Sequence, residues 1–162
     1  MLAQKPARKL FEAQINFDCI PSDVFSEPEH YQTVIDTMLR VNTQEYRALI
    51  VPAAQFVTAA FARSAARLHK NGVPVIFLET LPEGVCDGDV SALDALRDCP
   101  VVSLEDLVPR LAGMAMQDII INPADTYIRV MRYQGAAELF YFVNEGKEAY
   151  EGEVTVPVTG PC

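Results

Sequence analysis

Residues 48–81 read ALIVPAAQFVTAAFARSAARLHKNGVPVIFLETL, and this stretch decides the fold class. The apolar run 48–51 is followed by a segment of helical period at 55–70, a stop signal at Asn71-Gly72 and a second apolar run at 73–78. Two short, almost wholly apolar strands around one helix are typical of a parallel sheet that is buried on both faces. The stretch therefore predicts a βαβ unit within an α/β fold.

The helix of this unit is the most strongly indicated element of the chain. Val57, Phe61, Ala65 and Leu68 fall on one face at helical spacing, while the basic residues of the segment avoid that face. The basic residues also gather in the last turns, where the helix dipole favours positive charge. We expect this face to pack on the sheet.

Ligands of open parallel sheets bind in the crevice beyond the carboxyl ends of the strands. Here the second apolar run continues into Glu79-Thr80-Leu81-Pro82, which contains no glycine fingerprint and no nucleophile elbow. No histidine follows this point in the sequence. Glu79 and Thr80 are therefore candidate ligand-binding residues, and we expect no catalytic residue and no cofactor in this chain.

Composition excludes several functional classes. The chain has 162 residues, 50% hydrophobic and 22% charged, which suits one domain or one domain with a small appendage. A net charge of −9 without clustered Lys and Arg argues against nucleic acid as a partner. There is no apolar run of transmembrane length and no secretory signal, so we expect no membrane partner and a cytoplasmic location.

The four cysteines do not form a metal-binding pattern. Cys19, Cys86, Cys99 and Cys162 lack C-x-x-C spacing, and the chain has only two histidines. The sequence therefore predicts reduced thiols and no metal site.

The pattern changes at Gln117, where strand-like runs without intervening helices begin. We expect an antiparallel meander of four strands, at 118–121, 127–133, 138–143 and 153–158. The predicted domains are an N-terminally truncated α/β domain at 1–114 and part of a truncated β-sandwich at 117–162. Four strands with one apolar face are marginal alone, so we expect the chain to be a piece of a longer protein.

Other elements are predicted from local pattern. We expect the end of a helix at 7–14, a strand at 15–20, a hairpin-like segment at 41–46, a short helix at 91–97, a strand at 101–104 and a helix at 105–112. Residues 30–39 fit a helix and an extended chain equally well. The sequence leaves that segment open.

Three segments together suggest a family: LFEAQINFDCIP at 10–21, YRALIVP at 46–52 and GVPVIF at 72–77. In this order they resemble the glutamine-amidotransferase-like domain, of class I amidotransferase and flavodoxin-like fold, that lies behind the catalytic barrel of large bacterial glycoside hydrolases. These include beta-galactosidases, in which a similar domain mediates trimer contacts, and alpha-L-rhamnosidase-like enzymes. YIRVMRY at 127–133 and ELFYFVNE at 138–145 are similar to the start of the β-sandwich that follows this domain in alpha-L-rhamnosidase-like enzymes.

The resemblance implies a parallel sheet with helices on both faces, followed by an antiparallel segment. It places the catalytic carboxylates of the parent enzyme N-terminal to Met1, and Glu79-Thr80 stands where the amidotransferase nucleophile would be needed. It thus implies a non-catalytic accessory module of a glycoside hydrolase, with other domains of the parent, a homo-oligomer or carbohydrate as partners. The alternatives are a stand-alone small-molecule binding domain that uses the crevice at Glu79 and a homo-oligomeric scaffold.

Two further groups of residues are of types that can carry chemistry. Cys86 lies nearest the sheet edge, but the closest candidate base, His69, falls in the last turn of the helix, so we expect an incidental thiol. Glu79, Glu83, Asp87 and Asp89 lack the ligand ladder of a calcium loop and the placement of a glycosidase pair, which favours a solvated acidic loop.

The last segments are rich in aromatic residues, which are Tyr127, Tyr133, Phe140, Tyr141 and Phe142. Aromatic rings stack on sugars, so carbohydrate binding is one interpretation. Apolar residues occupy both faces of the strand at 138–143, and this favours burial in a core instead.

Overall fold

The computed structural model describes residues 4–134 and 137–157 and divides the chain into two compact units. The first unit contains residues 18–107, and the second contains residues 4–17 together with those from 108 onward. Mixed helices and strands with parallel pairing confirm an α/β fold class in its coarse form.

The elements of the first unit are mostly short. They are α2 (Asp23–Ser26), β1 (Thr33–Ile35), β2 (Leu39–Val41), β3 (Gln44–Tyr46), β4 (Leu49–Val51), β5 (Phe56–Val57), α3 (Ala59–Lys70), β6 (Val75–Leu78), β7 (Gly84–Val85), a 3-10 helix (Val90–Leu96) and β8 (Val101–Val102). The predicted short helix at 91–97 is therefore a 3-10 helix.

The predicted parallel sheet is present, with strand order β4-β6-β8. Leu49 pairs with Val75 and Phe77 with Val101, both in parallel register. All four residues of the central strand β6 are buried, as the continuous apolar run predicted. A second parallel pair joins β5 to β7.

Helix α3 begins at Ala59, later than the predicted start at 55, because residues 56–57 pair with β7 instead. Its first turn is capped by Thr58, whose hydroxyl accepts a hydrogen bond from the Phe61 N–H at 3.1 Å. The predicted apolar face is confirmed at Ala65 and Leu68, which are fully buried. The helix ends at the predicted Asn71-Gly72, where Gly72 has a φ of +87°.

The N-terminal part of the first unit forms a small antiparallel sheet with order β1-β2-β3. The hairpin-like segment at 41–46 is confirmed, and the ambiguous segment 30–39 contains strand β1 and the start of β2. The predicted strand at 15–20 is wrong, since none of its residues belongs to a ladder. Alternation of side chains fits any extended segment and does not supply a partner strand.

The second unit contains α1 (Gln4–Glu12), α4 (Leu107–Gly113), β9 (Ile120–Asn122), β10 (Ile128–Gln134), β11 (Glu138–Asn144) and β12 (Glu153–Thr155). The first residue of α4, Leu107, still belongs to the first unit. The strands are antiparallel, as predicted, but they do not form one meander. β10 pairs with β11 while β9 pairs with β12, so the unit has two separate two-stranded sheets. Val158, in the last predicted run, lies outside the described residues.

Residues 4–17 pack with the C-terminal segment, whereas the sequence groups them with the α/β domain. The Gln117 side chain donates to the Ala13 carbonyl at 2.9 Å, and the Gln14 side chain donates to the Ile128 carbonyl at 3.2 Å. The Phe11 ring lies 4.1 Å from the Arg129 guanidinium carbon. Such contacts join distant residues and leave no local pattern in the sequence. The assignment of 1–114 and 117–162 to two family domains stays a prediction.

Among the described residues, no helix has the length and apolar character needed to cross a membrane.

Candidate functional site

Glu79 lies directly after β6, at the carboxyl end of the parallel sheet, where the sequence predicted it. Its backbone N–H donates to the Val102 carbonyl at 2.9 Å, and its Oε1 accepts a hydrogen bond from the Leu104 N–H at 2.8 Å. Its φ of +67° is uncommon for a residue with a side chain. The exposed carboxylate thus holds the loop that follows the neighbouring strand β8.

Thr80 is also exposed at this edge, and its polar groups are turned back on its own loop. The Thr80 N–H donates to the Leu78 carbonyl at 2.8 Å, and its hydroxyl donates to the Leu81 carbonyl at 3.0 Å. The structure therefore brings both predicted residues to the edge, where Glu79 bonds the neighbouring strand and its loop and Thr80 bonds its own loop.

Two residues at the same edge were not among the sequence candidates. Ser103, just after β8, donates its hydroxyl to Asp106 Oδ2 at 2.6 Å and accepts from the Asp106 N–H at 3.1 Å. The signal was the spacing S-x-x-D before an apolar pair, a variant of the capping box. These side chains close the turn that precedes α4.

The acidic loop divides its carboxylates among different structural contacts. Glu83 accepts from the Gln55 side chain at 3.2 Å, and Asp87 accepts from the Ala59 N–H at 2.6 Å, which caps α3 beside Thr58. Asp89 caps the 3-10 helix by accepting from the Ser91 N–H at 2.9 Å, and this hydrogen bond lowers the pKa of Asp89. Where residues are described, no three His, Cys, Asp or Glu side chains converge as metal ligands.

The thiols lie in unlike environments. Cys86 is exposed, and its Sγ–H points at the Val57 carbonyl at 3.4 Å. The neighbouring Asp87 caps the N-terminus of α3, whereas His69 lies in its last turn, about 15 Å further along the helix axis. That separation prevents His69 from acting as a base for Cys86. Burial raises the pKa of Cys99 to about 11, and Cys162 lies outside the described residues.

A shallow groove of about 280 Å³ lies beside this loop. It is lined by Leu81, Pro82, Val90, Leu93, Asp94, Leu96 and Arg97. Its two charged residues, Asp94 and Arg97, pair with each other at 2.6 Å and are largely exposed. The groove is slightly smaller than the ~300 Å³ at which ligand pockets begin.

The predicted burial is wrong for four of the five aromatic residues. Tyr127, Tyr133 and Tyr141 are 58%, 53% and 56% exposed, and Phe142 is also exposed. Phe140 is half-buried. Side-chain alternation assigns residues to a face of a strand, but it does not determine whether another element covers that face.

Comparisons of the chain with protein-family models, curated proteins and solved structures find no match.

Proposed function

We propose that this chain is a non-catalytic accessory module that makes inter-domain or subunit contacts, and that its parent is a glycoside hydrolase. The observation that carries the non-catalytic part is the engagement of the sheet edge. Glu79 stands where a nucleophile would be needed, and its Oε1 accepts a hydrogen bond from the Leu104 N–H. The carboxylate serves the fold of the loop at the position that open α/β sheets use for chemistry.

The same holds for the acidic side chains nearby. A general acid and a general base must face a shared substrate, and a retaining glycosidase holds its two carboxyl groups about 5 Å apart. Here Asp87 caps α3 and Asp89 caps the 3-10 helix, while the Asp106 carboxylate accepts from the Ser103 hydroxyl in the turn before α4. Each carboxylate therefore bonds a different group of the chain.

The contact role is supported by the surface of the second unit. The paired strands β10 and β11 expose large apolar side chains, which are Met131, Tyr133, Leu139 and Tyr141. Exposed apolar groups of this size on neighbouring strands are typical of surfaces that bind another protein surface. The choice of a glycoside hydrolase as the parent comes from the sequence resemblance alone.

Turnover by the purified chain tests the non-catalytic part. We expect no hydrolysis from a panel of nitrophenyl glycosides, with the same result for Glu79→Gln and Asp87→Asn. Hydrolysis by the unmodified chain that disappears in either variant would overturn the proposal.

The coding DNA on both sides of this segment tests the parent. An open frame that continues upstream into a barrel-sized domain supports a glycoside hydrolase. A start codon at Met1 and a stop codon after Cys162 would overturn that part.

The second candidate function is a small-molecule binding domain, and the groove beside Leu81 and Pro82 favours it. A ligand that binds only the folded chain raises its melting temperature in a saturable way. Such a rise with a simple sugar, lost in Leu93→Lys, would support this candidate over the contact module.

A further inference from the structure

One face of the β10–β11 hairpin is apolar and open. The register pairs Met131 with Tyr141 and Tyr133 with Leu139, and alternation along each strand places all four side chains on the same face. Their exposed fractions lie between 50% and 59%. These four residues form the hairpin patch.

The opposite face of the hairpin packs within its own unit. Ile128 is 5% exposed there, and Arg132 donates to Glu138 at 2.7 Å and pairs with Asp118 at 3.8 Å. The hairpin therefore buries Ile128 and pairs Arg132 on one face, and it exposes two tyrosines, a methionine and a leucine on the other.

The patch is bounded at one end by a fixed charge. Arg129 lies on the same face, one alternation away from Met131, and its side chain is only 16% exposed. It pairs with Glu145 at 3.0 Å and stacks on Phe11. Because this guanidinium is already neutralised, the patch adjoins no uncompensated cation.

The composition of the patch is self-complementary. The tyrosines occupy one diagonal of the quartet, and Met131 and Leu139 occupy the other. A two-fold axis in the plane between two facing hairpins, along or across the strands, sets each tyrosine against Met131 or Leu139 of the second copy. Two-fold interfaces use the same patch on both subunits, and aromatic rings pack well against thioether and aliphatic groups.

The charge distribution favours the same arrangement. The first unit carries fourteen Asp and Glu against six Lys and Arg, a net charge of −8, whereas the second carries eight against seven, a net charge of −1. Like charges brought together at an interface oppose association. Two copies that meet through the hairpin patch join surfaces of the unit that is nearly neutral.

We propose that the hairpin patch binds the hairpin patch of a second copy of this chain in a two-fold dimer. The inference rests on the proposed contact function and names the partner of that surface. Four half-exposed side chains make an interface below the standard size, so the dimer dissociates on dilution.

Molar mass as a function of concentration tests the proposal on the 162-residue chain. Sedimentation from about 1 µM to about 1 mM should show a monomer–dimer equilibrium. Met131→Lys and Tyr141→Glu should each raise the dissociation constant at least about tenfold, because each buries an unpaired charge. The matched control Val90→Lys, at a 58% exposed apolar residue of the first unit, should leave it unchanged.

Mixing two variants distinguishes a lost dimer contact from a misfolded chain. If the axis runs along the strands, Met131→Lys with Tyr141→Glu should form a mixed dimer, because residue 131 then faces residue 141 of the other copy. If it runs across them, Met131→Lys with Tyr133→Glu should do so. Restoration by either pair supports the proposal, and restoration by neither overturns it.

A chain that stays monomeric at the highest concentration, or a dimer that the hairpin variants leave intact, also overturns the inference. Those results leave the contact-module proposal standing, since another domain of the parent would then be the partner. Glycoside turnover by the chain overturns the module proposal whatever the molar mass, so the two failures are distinguishable.

Discussion

Strands β6 and β11 are both rich in apolar residues, yet one lies in a core and the other does not. All four residues of β6 are buried beneath α3 and between two parallel neighbours. In β11 no residue is buried, although Leu139, Phe140, Tyr141, Phe142 and Val143 are consecutive. Apolar side chains define a face, and only a covering element makes that face an interior.

The difference extends to polar groups. Around β6, carboxylates and hydroxyls cap helices and close loops, as at Glu79, Asp87 and Ser103. Around β11 the fixed charges are the pairs of Arg129 and Arg132. The loops of the first unit are thus held by their own side chains, while the hairpin keeps an exposed apolar face.

The largest expected effect contrasts the two strands directly. Phe77→Ala in β6 should lower the free energy of unfolding by about 3–5 kcal/mol, because it leaves a cavity in a close-packed layer. The ring of Phe77 is 1% exposed. Urea titration of the chain at a concentration where it is monomeric measures this.

The matched change in the hairpin is Tyr141→Ala, which removes a ring that is 56% exposed. Its cost should be no more than about 1 kcal/mol, as for most surface substitutions. Equal costs for the two variants would contradict the contrast between the strands.

A smaller effect tests the end of the helix that covers β6. Gly72→Ala should destabilise the chain by about 1–2 kcal/mol, because a φ of +87° is strained for a residue with a Cβ, although no atom lies within 4 Å of that position. Gly113→Ala, where the Cβ position is equally open and the φ is ordinary, serves as the control. Thermal unfolding of both variants separates backbone strain from crowding.

The smallest effect at neutral pH concerns the buried thiol. Burial raises the pKa of Cys99 from 9.0 to about 11 in the folded chain, so its thiol contributes stability below pH 9 that is lost as the pH rises toward 11. Cys99→Ala should remove this part of the decline in stability between pH 9 and 11, while Cys86→Ala, at an exposed thiol, should leave it. Urea midpoints measured across this range provide the comparison, and identical profiles for both variants would contradict it.

Tyr46 adds to the same decline at higher pH. Burial, with the hydrogen bond to Asp18, raises the pKa of Tyr46 from 10.0 to about 12. Its neutral form is favoured in the folded chain, so this contribution is lost between pH 10 and 12. The Cys99 comparison is therefore cleanest below pH 10.

Prediction from sequence succeeded where a local pattern specifies which neighbouring segments pair. The βαβ unit was predictable because Leu49 and Val75 flank a helix whose length and apolar face permit one parallel arrangement. The stop at Gly72 was predictable from its freedom of φ. The position of Glu79 at the sheet edge was predictable, since it follows β6. Its role was not, because the Leu104 N–H that donates to its carboxylate lies on another loop.

Two of the failures share one cause. The pairing of β9 with β12 and the packing of residues 4–17 against the C-terminal segment join parts of the chain that are far apart. Ser103 differs from these, because its S-x-x-D capping pattern lies within the local sequence, where it is visible without the tertiary structure.

The amino-acid sequence alone specifies the parallel strands, the helix between them, its stop at Asn71-Gly72 and the position of Glu79 at the sheet edge. Those features follow from side-chain periodicity and backbone preference, which act between near neighbours. The tertiary contacts set which apolar faces are covered, which carboxylates hold loops and which strands pair. These depend on contacts between distant segments, and their free energy exists only once the chain has brought those segments together.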